Sequence, residues 1–113
     1  LDKKITVNPT AVRVPVLIGH AESIYIETKK DIDIHLAREV LMNFKGVSVI
    51  DDTHEINFPT SFEHGHGTDD VFVGRIRKGL DKNNALNLWV VADNVRKGAA
   101  LNSIQIAENL IRS

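Results

Sequence analysis

Apolar positions along this chain change their spacing several times, and each change marks a new element. Val12, Val14 and Val16 alternate with Arg13, Pro15 and Leu17, the period of a strand whose successive side chains face opposite ways. Ala21 to Thr28, carrying Ile24, Tyr25 and Ile26, predicts a second strand, with Gly19-His20 at a tight connection or local break between the two. Lys29-Lys30-Asp31 reads as a polar turn. From Asp33 to Lys45, the residues Leu36, Ala37, Val40, Leu41 and Phe44 recur at helical spacing, with Asp33 placed to cap the start and Gly46 to stop the helix. Gly46 to Asp51 predicts a short strand. Val71 to Arg77 and Leu86 to Ala92 predict two more, separated by the turn residues Gly79, Asp81, Asn83 and Asn84. A final helix runs from about Val95 to Ile111, with Leu101, Ile104, Ala107, Leu110 and Ile111 on one face. The order strand, strand, helix, strand, strand, strand, helix implies an α+β fold with helices against a largely antiparallel sheet.

Length and charge narrow the function classes. A chain of 113 residues is one domain or part of one, too short for a dinucleotide-binding domain plus a substrate domain. Its 14 basic and 15 acidic residues leave a net charge of -1, so no long-range field draws in nucleic acid or an anionic membrane. No apolar run approaches the roughly 20 residues of a membrane span, and Leu1-Asp2-Lys3-Lys4 does not lead into a signal-peptide core. A cytoplasmic protein is expected. The absence of cysteine excludes a disulfide framework, a thiolate zinc site and a cysteine nucleophile within this chain. A start at Leu1 rather than Met predicts a piece of something larger.

Three places carry candidate chemistry. On the strand reading, Arg13 stands inside a buried segment, where an unpaired guanidinium costs several kcal/mol in rough terms. Its partner is either an internal Asp or Glu, or a ligand carboxylate or phosphate gripped by the planar fork. Gly19 at the strand end allows a turn and a close approach to the backbone, and His20 then sits at the sheet rim, where an imidazole suits proton transfer. The second place is Asp93 to Ala100, where a strand runs straight into the last helix. Asn94 is a natural N-cap, whereas Arg96 and Lys97 in the first turn oppose the helix dipole. They are either solvated, or they join the free N–H groups in holding an anion or cofactor. Gly98-Ala99-Ala100 offers a face almost without side chains, against which another backbone or a flat ring packs closely. The third place is the long loop from Asp51 to Thr68, with His54, His64 and His66 beside Glu63, Asp69 and Asp70. Two histidines two apart on a loop lack the helical i, i+4 ligand spacing, so no metal site is assigned there.

Three motifs in order carry a family resemblance. They are Val12 to Val16 followed by Gly19-His20, then Gly67 to Arg77, then Leu86 to Asn102. Together they resemble the C-terminal portion of the aspartate-semialdehyde dehydrogenases, over nearly the whole chain from Ala11 to the end. The resemblance implies a C-terminal catalytic and dimerisation domain of the kind found in glyceraldehyde-3-phosphate-dehydrogenase-like enzymes. It also implies reductive dephosphorylation of aspartyl phosphate to aspartate semialdehyde with NADPH, on the route to lysine, methionine and threonine.

By the same resemblance, Arg13 grips the substrate carboxylate and His20 is the acid/base catalyst beside a cysteine that forms a thioester. Asn94 lies near the nicotinamide end of an NADP held mainly by earlier sequence, and the helix after it packs on the dinucleotide-binding domain. The strands from Val71 to Arg77 and Leu86 to Val91 bury one face in a homodimer. Ala11 departs from the family pattern, where a non-catalytic cysteine is expected. The cofactor loop, the nucleophile and the phosphate-binding residues are absent here, so the chain alone is expected to be inactive. The related N-acetyl-glutamyl-phosphate reductases share the chemistry, and the Asn87 to Asn102 stretch favours the aspartate enzymes. A reading of a different class is a stand-alone α+β module that binds an amino acid or dimerises, with Arg13 on the carboxylate.

Overall fold

The computed structural model describes residues 2–52 and 57–112. The elements run β1 (His20–Glu27), α1 (Ile34–Met42), β2 (Val47–Val49), β3 (Val71–Lys78), β4 (Ala85–Ala92) and α2 (Leu101–Arg112), with a π-helical turn at Arg96–Ala100 leading into α2. The strands form one sheet in the order β1-β4-β3-β2. β4 is antiparallel to both β1 and β3, and β2 runs parallel to β3. The fold is the expected α+β arrangement of a mostly antiparallel sheet with two helices.

One expected strand is not formed. Residues 12–18 are irregular and exposed, with Val12 75% and Val14 58% accessible. The cause is local: Val16 N–H donates to Val14 O at 2.8 Å, a three-residue turn centred on Pro15 that breaks the extended path. Proline has no N–H to give a ladder, so the alternation there has no partner strand to pair with. Arg13 is therefore exposed, not buried as expected from the strand reading.

The core sits where α1 crosses β2 and β3. Val73, Ile76 and Leu86 are buried, and Ile34, Ala37 and Leu41 of α1 pack against them with Val47, Val49, Leu88 and Val90. A strict alternation on β3 would send Val73 and Ile76 to opposite faces. An extra residue between Gly74 and Arg77 corrects the phase, with Arg75 in the left-handed region at φ 53°. Both apolar side chains thus reach one core. Asp33 caps α1 as expected, accepting from His35 N at 2.8 Å and Leu36 N at 3.4 Å. At the other end Asn43 closes the helix, its Nδ2 donating to Glu39 O at 2.9 Å.

Much apolar surface stays uncovered. The accessible area is 9220 Å² for 12.6 kDa, where a compact monomer of that mass shows about 6,200 Å². The radius of gyration is 15.1 Å, against roughly 13 Å expected at this length. α2 contributes to the excess, with Ile104 57% and Ile111 85% exposed.

Candidate functional site at the head of β1 and the end of β4

His20 opens β1 opposite Ala92, the last residue of β4. The residue before it, Gly19, is buried at φ +90°, a conformation glycine adopts without a side-chain penalty. It is packed so closely that a Cβ would lie 2.8 Å from Gly65 O and 3.1 Å from Gly65 Cα. His20 itself is exposed at the sheet rim.

Beyond Ala92 the chain of β4 leaves the sheet, and two side chains take over from the backbone ladder. The side-chain oxygen of Asn94 accepts from Gly19 N at 3.0 Å. Asp93, only 2% exposed, accepts from Gly67 N at 2.8 Å through one oxygen, and from Val95 N at 2.8 Å and Arg96 N at 2.9 Å through the other. These N–H bonds, led by that of Arg96, hold the Asp93 carboxyl below the ordinary aspartate range against the opposing effect of burial, and the nearby His66 adds to the lowering.

Asp93, not Asn94, is thus the residue that caps the final helical segment. The expected cap fails because Asn94 turns its oxygen across to Gly19. The first helical turn does hold an anion, and it is the chain's own Asp93. Arg96 pairs with Asp69, its Nε donating to Oδ1 at 2.7 Å, and Lys97 Nζ donates to Gln105 Oε1 at 2.6 Å. Gly98, Ala99 and Ala100 are exposed in the π-helical turn.

The histidine-bearing loop joins this junction through its glycines. Gly65 backs Gly19 and Gly67 is tied to Asp93, while His64 serves the loop itself: its Nδ1 accepts from Thr60 N at 3.2 Å and its ring lies 5.0 Å from that of Phe72. Among the described residues no group of three or more His, Cys, Asp or Glu is gathered where it could hold a metal. His54 lies outside the described residues.

The structure therefore brings His20 and Asn94 together through Gly19, and adds Asp93, Gly65 and Gly67, to which sequence reasoning gave no role of their own. Arg13 makes no hydrogen bond or ion pair that ties it to this junction among the described residues. The junction is a rim at which an imidazole stands on a backbone pinned from two sides, suited to proton transfer with a group brought to it.

The sequence profile of the semialdehyde dehydrogenase dimerisation domain matches residues 1–97. This chain belongs to that family. Within it, the aspartate-semialdehyde dehydrogenase of Legionella pneumophila is 51% identical over 98% of this chain, which spans 32% of that relative. The Aquifex aeolicus enzyme of the same name is also 51% identical, over the same shares. The chain thus covers about a third of the length of the curated relatives it matches. Among solved structures, aspartate semialdehyde dehydrogenase II from Vibrio cholerae, complexed with ASA, superposes with a TM-score of 0.85 at 46% identity. That match covers 94% of this chain and 31% of the Vibrio chain. No helix among the described residues is long and apolar enough to cross a membrane.

Proposed function

We propose that residues 1–113 are the C-terminal catalytic and dimerisation portion of a cytoplasmic, NADP-dependent aspartate-semialdehyde dehydrogenase. The observation that carries this reading is the 51% identity to enzymes of that name across 98% of the chain. In the reductive direction such an enzyme converts aspartyl 4-phosphate to aspartate 4-semialdehyde and releases phosphate, serving lysine, methionine and threonine formation.

His20 is assigned the acid/base role. As neutral imidazole it accepts the proton of a cysteine thiol contributed by other sequence of the enzyme, and it returns a proton to the tetrahedral oxyanion or the leaving phosphate. Arg13 is assigned to the substrate carboxylate, whose bidentate capture makes attack effectively unimolecular. Its exposure supports this reading, since no internal carboxylate among the described residues occupies the fork. NADPH supplies the hydride when bound. The junction fits one edge of such a cofactor: with the Asn94 oxygen engaged by Gly19, its amide N–H groups are left to donate to an acceptor. The chain has no cysteine, so it has no dehydrogenase activity by itself.

A homo-oligomer follows from the family's dimerisation domain, and one face of β3 and β4 is assigned to the second subunit. The exposed apolar side of α2 is assigned to the dinucleotide-binding domain, consistent with the excess accessible area. The test is phosphate-dependent NADP reduction with aspartate semialdehyde. Activity in the full product of the reading frame and none in the 113-residue chain is expected. A full product that is inactive, yet binds an amino acid without cofactor, would instead identify a stand-alone module.

A further inference from the structure

We propose that Asn94 is a positioning residue for His20, acting through the backbone N–H of Gly19. This rests on the acid/base assignment of His20 and deepens it. The pairing of β1 with β4 ends at His20 and Ala92, so backbone hydrogen bonding stops at the residue expected to move protons. One position earlier, Gly19 N–H is buried and turned at φ +90°, where the departing β4 chain offers it no carbonyl. The Asn94 oxygen, 3.0 Å away, extends the ladder by one bond. From the other side, Gly65 leaves no room for Gly19 to retreat, since its carbonyl and Cα crowd the space a Cβ would take. Gly19 is clamped between a side-chain acceptor and a neighbouring backbone, and the direction in which His20 leaves the turn is set by that clamp.

The same side chain is assigned to the cofactor, and its two ends separate the roles. The oxygen serves Gly19, and the amide nitrogen serves a ligand acceptor. Asn94→Asp keeps an acceptor for Gly19 and loses the donor, whereas Asn94→Ala loses both. In the full-length enzyme, we expect Asn94→Ala to lower kcat at saturating NADP by about 10- to 100-fold, the order expected when a reacting group is displaced by about an ångström. It should also speed hydrogen exchange at the Gly19 amide. Asn94→Asp should restore Gly19 protection and recover most of kcat, while still raising the KM for NADP.

Two results overturn the proposal: an Asn94→Ala enzyme with wild-type kcat at saturating cofactor, or an Asn94→Asp enzyme that regains Gly19 protection without regaining kcat. A wild-type full product lacking dehydrogenase activity would overturn the functional reading instead. In that case the exchange comparison alone still decides whether Asn94 holds Gly19.

Discussion

Replacing Gly19 by alanine strikes the junction at its tightest point. The added methyl would stand 2.8 Å from Gly65 O and 3.1 Å from Gly65 Cα, both backbone atoms, so no flexible side chain is available to move aside. Two costs combine. Holding a side chain at positive φ costs about 1–2 kcal/mol, and overpacking a filled site costs about 1–3 kcal/mol. Their sum, about 2–5 kcal/mol, corresponds to an opening of the junction favoured by roughly 30-fold to several thousand-fold. Gly67→Ala is the matched control: its φ is +70° but nothing lies within 4 Å of the new methyl, so only the backbone cost of about 1–2 kcal/mol remains. Hydrogen exchange of the Gly19 to Ala21 amides in the full-length protein reads the opening directly. Gly19→Ala should exceed Gly67→Ala by about fivefold or more in exchange rate, the factor that the overpacking cost of about 1–3 kcal/mol sets. Equal rates in the two variants would refute the close packing of Gly19 on Gly65.

Gly74→Ala should be the more damaging glycine substitution, because its methyl would collide with the Ile50 carbonyl oxygen and stand 2.5 Å from Pro59 Cδ; recovery of soluble protein after expression checks this, and a normal yield counts against it. For Asp93, whose folded carboxyl titrates below its ordinary value of 3.8, the stabilising effect is complete above that value and is lost as pH falls through the lower folded one. Exchange protection at Gly67 should therefore be pH-independent from 5 to 8 after correction for intrinsic rates, and collapse in stronger acid; loss already near pH 5 would contradict the three N–H bonds. Arg13→Lys should raise the KM for aspartate semialdehyde by about tenfold or more with little change in kcat, since the planar fork is lost while the charge is kept. Steady-state kinetics decide it, and an unchanged KM removes Arg13 from substrate binding.

Elements whose patterns were self-contained were legible in the sequence. α1 combines a helical apolar period with Asp33 as cap, and β3 and β4 combine apolar runs with turn residues between them. The segment from Val12 to Leu17 misled because alternation alone does not supply a partner strand, and Pro15 turns the chain before one could form. The bulge at Arg75 was invisible for the same reason: it follows from the need to bring Val73 and Ile76 to one core, a tertiary demand. At the candidate site, His20 and Asn94 were singled out by residue type and by the resemblance. Asp93 was not, because Asn and Asp cap helices about equally well. Which of the two turns inward was decided by Gly19 and Gly67, 75 and 26 residues away in the chain.

The most direct measurement is single-turnover kinetics of the full-length enzyme with His20→Ala and His20→Gln, followed as phosphate-dependent NADP reduction by aspartate semialdehyde. Loss of the chemical step by about two to four orders of magnitude is expected, the usual contribution of a positioned acid/base, with cofactor affinity retained. A chemical step within a few fold of wild type in both variants would contradict the placement of the reaction's proton transfer at the head of β1.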